Sequence, residues 1–287
     1  MIWEVPGVRV GHWTDPEART GCTVVLFDPP VVASGEVRGG APATREFALL
    51  DPLALVDRID AVVLSGGSAF GLSAVDGVVG WCEGEARGWP TSACPVPIVV
   101  GMALYDLGVG SSEVRPGPDQ GRAACEASPS EELGAVGAGC GAMVGKWRGP
   151  EAALPGGLAG AVERQGDLAV AVLVAVNAWG DVAGYGHHGE PPPDLTRPAD
   201  PGAFGAAANT TIGVVVTNAR LDAAGCQHLA RGAHDGLARS VDPPHATVDG
   251  DAFVAAATGQ VEAPIDLVRW LGVRAVDRAV RSIGARR

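Results

Sequence analysis

Asn209-Thr210-Thr211-Ile212-Gly213-Val214-Val215-Val216-Thr217-Asn218 opens with a threonine pair and runs on into β-branched residues. Branching at Cβ stiffens the side chain and suits a pleated backbone, so the stretch reads as a strand with a hydroxyl at its start. In front of it stands Arg197-Pro198-Ala199-Asp200-Pro201-Gly202-Ala203-Phe204-Gly205-Ala206-Ala207-Ala208, small and proline-rich, with little to bury. Such a segment is a connection that can be distorted or cut. A threonine hydroxyl attacks poorly unless a base lies beside it. Cleavage between Asn209 and Thr210 would supply one: the freed α-amine, with an ordinary pKa of about 7.7–8.0, can take the proton from its own residue's hydroxyl. The competing reading is an ordinary strand start after a loop.

Composition bounds what surrounds this strand. The 287 residues are 47% hydrophobic and 19% charged, which describes a core-forming globular chain, expected to form one domain over residues 1–287. The 42 glycines and only 5% aromatics point to tight turns and close backbone packing. A net charge of -12 without a basic run argues against nucleic acid and anionic membrane surfaces as partners. Neither a secretory signal nor a long unbroken apolar span is expected. The six cysteines form no C-x-x-C pair and read as reduced thiols of a cytoplasmic protein, Cys140 among them as a small packing residue. The six histidines lack metal-ligand spacing and are expected in loops or on the surface; no metal or cofactor is expected.

Upstream, residues 4–13 and 20–37 read as strands broken by turns, and Gly35 to Glu46 as a structured loop whose arginines either bind a carboxylate or brace the frame. Residues 48–58 suit a helix. The strand over 61–64 runs into Ser65-Gly66-Gly67-Ser68-Ala69-Phe70-Gly71-Leu72 and then a helical stripe of Ala74, Val75, Val78, Val79 and Cys82. A strand, a glycine turn and a serine-capped helix would present the N–H groups of Gly66, Gly67 and Ser68 to an anion or oxyanion, as one wall of a substrate cleft. It is neither a Walker loop nor a dinucleotide fingerprint.

A strand over 96–104 ends at Tyr105, one of two tyrosines, placed to donate to an oxyanion or to sit buried with a satisfied hydroxyl. A short helix is expected over 118–127. Gly134 to Gly145 deliver Lys146 behind a run of small residues, which favours a site over a solvated surface. Leu168–Val176 is continuously apolar and therefore buried on both faces. Asn177 follows, and its amide either caps the turn through Asp181 or points into a cleft. A helical stripe of Leu221, Ala224, Leu229, Ala233 and Leu237 is followed by the strand-like Ala246-Thr247-Val248-Asp249-Gly250-Asp251-Ala252-Phe253-Val254. Its two carboxylates form an acidic turn or orient the amine and hydroxyl of Thr210. A packing helix over 264–283 closes the chain.

Asn209-Thr210-Thr211, Asp249-Gly250-Asp251, Lys146, Asn177 and Tyr105 together make the chain resemble the DmpA-type aminopeptidase/amidase family of N-terminal-nucleophile hydrolases, on the side of its nylon-oligomer hydrolase branch. The likeness covers nearly the whole length, with Gly39-Gly40-Ala41-Pro42-Ala43-Thr44-Arg45-Glu46 and Leu64-Ser65-Gly66-Gly67-Ser68-Ala69-Phe70-Gly71 in the family's order. It implies a four-layer α/β/β/α sandwich, cut into a large subunit (1–209) and a small one (210–287), assembled as a homo-oligomer, often a tetramer of cut pairs. It also implies hydrolysis of a small amide or peptide, with Thr210 as nucleophile and its amine as base. Asp249 and Asp251 would orient them, with Lys146, Asn177 and Tyr105 lining the cleft. Family aminopeptidases commonly carry serine as nucleophile after glycine, whereas Asn-Thr with Asp-Gly-Asp looks like the nylon-hydrolase pattern. An acetyltransferase of the ornithine type and a non-catalytic anion-binding protein are the alternatives.

Overall fold

The computed structural model describes residues 1–191, 194 and 209–285; the proline-rich connection expected over 197–208 lies outside them. Nine strands form one continuous sheet: β1 (Val8–Asp15), β2 (Thr20–Val37), β3 (Thr44–Arg45), β4 (Arg58–Ser65), β5 (Val99–Ala103), β6 (Gly157–Gln165), β7 (Leu168–Val176), β8 (Ile212–Ala219) and β9 (Ala252–Val261). Their order is β3-β5-β4-β2-β9-β8-β7-β6, with β1 also paired to β2. The principal helices are α1 (Ala74–Gly84), α2 (Pro118–Glu126), α3 (Ala223–Ser240) and α4 (Ile265–Arg281).

The long strand β2 turns this sheet into two layers. Its first part pairs with β1, Val25 opposite Val10, and its last part pairs with β9, Val37 opposite Ala252. Between them lie Asp28, Pro29 and Pro30, where the register against β4 shifts. A proline has no N–H for the ladder, so the strand can bend there without losing a donor.

Alternation along the central strands then divides most of their buried side chains among three interfaces. Val25 and Phe27 of β2, Val62 and Leu64 of β4, and Val100 and Met102 of β5 meet Ala171, Leu173, Ala175, Ile212, Val214, Val216, Ala252 and Val254 between the two sheet layers. The alternate residues Val24, Leu26, Ala61 and Val63 instead face Val75, Val78 and Cys82 of α1 and Ala124 of α2. On the far side Val170, Val172, Val174, Val215 and Phe253 pack on Leu229, Ala233, Val268, Leu271 and Val276 of α3 and α4. This is the four-layer α/β/β/α sandwich. Because both faces of each central strand are covered, their sequences are unbroken apolar runs. Each fully buried Val or Leu contributes about 1.5–3 kcal/mol of transfer free energy.

Gly213 interrupts the β-branched run for a packing reason. It stands directly opposite Phe253 on β9, and a Cβ there would come within 2.5 Å of the Phe253 ring.

Two local expectations are corrected. Residues 48–58 are not a helix: a 3-10 turn, Phe47–Leu50, is followed by a loop in which Leu53 and Leu55 are exposed. Pro52 disfavours helical backbone at Asp51, and the Asp51 carboxylate accepts the Leu53 N–H at 2.8 Å instead. The histidines are not all peripheral either, since His12 and His234 are buried. Among the described residues no helix is long and apolar enough to cross a membrane.

Candidate active site

Strand directions gather the polar residues at one edge of the inner layer. β9 runs parallel to β8, with Ala252 opposite Ile212, so the two strands start side by side and Thr210-Thr211 lies next to Gly250-Asp251. β7 runs antiparallel to β8, with Ala175 opposite Ile212, so its exit at Asn177 arrives from the other flank. The Ala252 N–H donates to the Thr211 carbonyl at 3.1 Å and the Thr210 N–H to the Asn177 carbonyl at 3.0 Å. From the facing layer, the exit of β5 joins through the Asn177 side chain, whose Nδ2 donates to the Tyr105 carbonyl oxygen at 3.1 Å.

Asn209, Thr210, Thr211, Lys146, Asn177, Asp249 and Asp251 are all buried. The Thr210 hydroxyl donates to the carbonyl oxygen of Asn209, the peptide unit immediately before it. Lys146 is the only lysine of the chain; every other basic side chain bar the histidines is an arginine. It starts a short 3-10 turn behind Gly145, whose φ of 72° suits glycine. Its Nζ donates to both the backbone O and the Oδ1 of Asn177, each at 2.9 Å. Asn177 Oδ1 also accepts the Met143 N–H at 2.9 Å. The Asn177 amide therefore ties Lys146, Met143 and Tyr105 together, and its backbone carbonyl serves Lys146 and Thr210 at once.

The charges are held under tension. Burial lowers the Lys146 pKa to about 7, with Asp249, Asp251 and Asp106 pulling the other way. The Asp249 carboxyl is held above the usual carboxylate range, first by burial and then by the neighbouring charge of Asp251. Asp249 accepts from Ala246 N–H at 3.0 Å and Trp179 N–H at 3.4 Å. Asp251 accepts the Thr211 N–H at 2.7 Å on one oxygen and His245 Nδ1 at 2.8 Å on the other. Asp251 thus holds the backbone just after Thr210. The turn carrying both acids is anchored by the Ala41 N–H on the Asp249 carbonyl and the Arg38 N–H on the Asp251 carbonyl, each at 2.8 Å.

The glycine turn departs from its expectation. Gly66 N–H donates to the Gly21 carbonyl at 2.8 Å and Ser68 N–H to the Leu104 carbonyl at 2.9 Å, and Gly67 N–H donates to Asp106 Oδ1 at 2.7 Å. All three donors are used inside the protein, so they form no open anion cradle. The N-cap position of the short helix Ser68–Gly71 belongs to Gly67, not to a serine. Tyr105 meets the cluster through its backbone carbonyl, which accepts from Asn177.

Two side chains at the cluster, Asp106 and His245, escaped the sequence reading, and the glycine between the two acids has a contact that it did not foresee. Asp106 is buried, raised in pKa chiefly by that burial, and ties the glycine turn to Thr20 at 2.8 Å. Its one sequence signal is a carboxylate directly after an apolar strand. His245 follows a Pro-Pro pair and reaches Asp251 six residues on. Gly250 lies against the nucleophile candidate, since a Cβ there would be 2.8 Å from Thr210 Oγ1.

Compared with known proteins, the chain matches the pattern of peptidase family S58 over residues 1–283. It belongs to peptidase family S58. It is a hydrolase of amide or peptide bonds, and the acetyltransferase and anion-binding alternatives are not favoured. As a member of S58 it is 39% identical over 322 aligned residues to an uncharacterized aminopeptidase of Mycobacterium tuberculosis, covering 98% of this chain and 92% of that one. It is 30% identical over 292 residues to a 6-aminohexanoate-oligomer endohydrolase of Kocuria sp., covering 92% and 76%. Among solved structures, a Burkholderia sp. beta-aminopeptidase superposes with a TM-score of 0.73 at 23% identity, over 99% of this chain and 85% of that one. The L-aminopeptidase D-Ala-esterase/amidase of Ochrobactrum anthropi, described as a variant of the Ntn hydrolase fold, gives 0.69 at 22% identity, over 98% and 85%. The chain therefore shares the fold of these two structures.

Proposed function

We propose that this S58 hydrolase cuts its own Asn209–Thr210 bond, leaving subunits 1–209 and 210–287, and then uses Thr210 to open amide bonds in small substrates. The observation that carries the reading is the Thr210 hydroxyl resting on the Asn209 carbonyl while Asn177 holds the Thr210 N–H at 3.0 Å. In the first step Oγ1 adds to the Asn209 carbonyl carbon and the C–N bond breaks. The product is an Asn209 ester on Oγ1 and a free Thr210 amine; water then releases the Asn209 carboxylate and restores the hydroxyl. In turnover the same hydroxyl attacks a substrate carbonyl, with the Thr210 amine as base, and the acyl-enzyme is hydrolysed.

Lys146 and Asn177 fix the amine position, and the buried positive charge of Lys146 stabilises the oxyanion. A single well-placed donor is typically worth about 2.7–4 kcal/mol in such a site. Asp249 and Asp251 orient the turn at Thr210, and Tyr105, Gly66, Gly67 and Ser68 form the opposing wall. The relatives span aminopeptidase and oligomer endohydrolase activity, so both an amino-terminal and an internal amide are substrate candidates. The working particle is proposed as a homo-oligomer of cut pairs, and the free cysteines suit a reducing cytoplasm.

Intact-mass measurement tests the first step. Wild type is expected as two chains and Thr210→Ala as one inactive chain; equal cutting in both overturns it. Hydrolysis assays on 6-aminohexanoate oligomers, β-amino-acid amides and short L-peptides then assign the substrate.

A further inference from the structure

His245 is neither part of the sequence-derived site nor needed by the steps above, yet its setting is built with care. Its ring is half-buried and gives Nδ1 to Asp251 Oδ2 at 2.8 Å. A carboxylate only accepts, so Nδ1 carries the proton. The residue sits at φ 54°, a left-handed conformation that non-glycine residues adopt at an energetic cost and that collects at functional sites. The ring is also clamped from behind: His234 meets it edge-on at 5.0 Å and in turn meets Phe253 of β9 edge-on at 5.0 Å. His234 is itself pinned by Nε2–H on the Glu36 carbonyl at 2.9 Å. A chain of fixed rings therefore leads from the strand β9, through two histidines, to one oxygen of Asp251, whose other oxygen holds the Thr211 N–H at 2.7 Å.

Resting on the reading of Thr210 as nucleophile, we propose that His245 is a positioning residue: its Nδ1–H locks the Asp251 carboxylate so that Thr211, and with it the Thr210 hydroxyl, is presented to the bond under attack. Without this donor the buried carboxylate lacks a partner on one side and is free to turn, loosening the Thr211 contact.

The test uses full-length His245→Ala, His245→Gly, His245→Gln and His245→Asn with wild type and Thr210→Ala alongside. Self-cutting is followed by intact mass and turnover by hydrolysis of a β-amino-acid p-nitroanilide. Loss of a hydrogen bond to a charged group predicts a slowing of about 10- to 100-fold in both cutting and kcat for the alanine variant. KM should stay within about twofold, since His245 acts through Asp251 and not on substrate. His245→Gly relieves the backbone but has no donor, so it should be as slow as alanine. His245→Asn tolerates the left-handed backbone and places an N–H near the Nδ1 position, so it should recover to within about threefold; His245→Gln, with its amide one carbon further out, should not. Should the alanine form fail to fold by its melting curve, the glycine and asparagine pair decides. A glycine variant as fast as wild type, or an asparagine variant as slow as glycine, overturns the proposal. If Thr210→Ala is cut and active, the nucleophile reading fails instead; if it stays whole and inert while every His245 variant is normal, only the role of His245 falls.

Discussion

Gly250→Ala puts the geometry around Thr210 under direct strain. Gly250 is outside the left-handed region, so an alanine meets no backbone penalty, and on chain entropy alone the change would stabilise by about 0.4–1 kcal/mol. Space decides otherwise. An ideal Cβ falls 2.4 Å from the Ala41 carbonyl oxygen, 2.8 Å from Thr210 Oγ1 and 2.9 Å from Pro42 Cα. Carbon contacts become comfortable only near about 3.5 Å, so something must give by roughly 1 Å. Two of the three neighbours are backbone, and the Ala41 peptide is itself held by the Asp249 carbonyl at 2.8 Å, so the Thr210 hydroxyl is the softest to displace. Overpacking of this size typically costs about 1–3 kcal/mol, outweighing the entropic gain. A displacement of roughly 1 Å at reacting atoms costs on the order of 100-fold in rate. The expected result is a melting temperature lowered by a few degrees, with self-cutting and kcat each slowed by about two orders of magnitude. A variant that melts like wild type but cuts and turns over normally would refute the placement of Thr210 against this turn.

Thr211→Val separates the two threonines: the Thr211 hydroxyl is buried with no hydrogen-bond partner among the described residues, so valine should keep self-cutting and hold or raise stability by about 1 kcal/mol. Lys146→Met gives a pH signature in unfolding experiments. The Lys146 pKa is lowered from 10.5 to about 7, so between these values the unfolded chain binds the extra proton and wild-type stability rises with pH. Relative to Lys146→Met, wild type should therefore gain stability from pH 7 toward 10.5, and a flat difference would contradict the burial of the charge. In acid, burial lowers His12 to about 4 and His234 to about 3 from the ordinary 6.5. Both are neutral when folded and protonate on unfolding, so stability should fall as pH drops from 6.5 toward 4, and His12→Asn should flatten that slope. Denaturant titrations across this range check it.

The four layers came from the family resemblance, while the burial of the inner strands was legible from their residues. Leu168–Val176 announces itself as an unbroken apolar run, and the closing helix differs from its expected ends by a residue or two. β6 is not legible in the same way: Gly157, Gly160, Glu163 and Arg164 dilute its pattern, and it is a strand because β7 offers a complete antiparallel ladder. The helix expected over 48–58 does not form because Asp51 and Pro52 offer the backbone a local turn. At the site, polar residues at the ends of apolar runs, Asn177 and Thr210 above all, could be picked out because a buried strand end must satisfy its donors. The use of the glycine-turn N–H groups could not, since it depends on Asp106, which is 39 residues away. The same holds for His245, whose meaning comes from which oxygen of Asp251 it occupies.

The sheet order has a consequence for a chain cut at Asn209–Thr210 as proposed. β8 and β9, both from the segment that begins at Thr210, lie wedged between β7 on one flank and β2 on the other, and both of those come from the earlier segment. Severing one peptide bond at the mouth of β8 would therefore release nothing. It would erase the covalent continuity through which a denatured chain finds its way home: the shorter piece would have to thread two neighbouring strands into a gap that exists only when the longer piece is already folded around them. On the proposed cut, heating and cooling should restore the Thr210→Ala chain and leave a two-piece wild type aggregated, so that self-scission would be an irreversible commitment to the shape already reached.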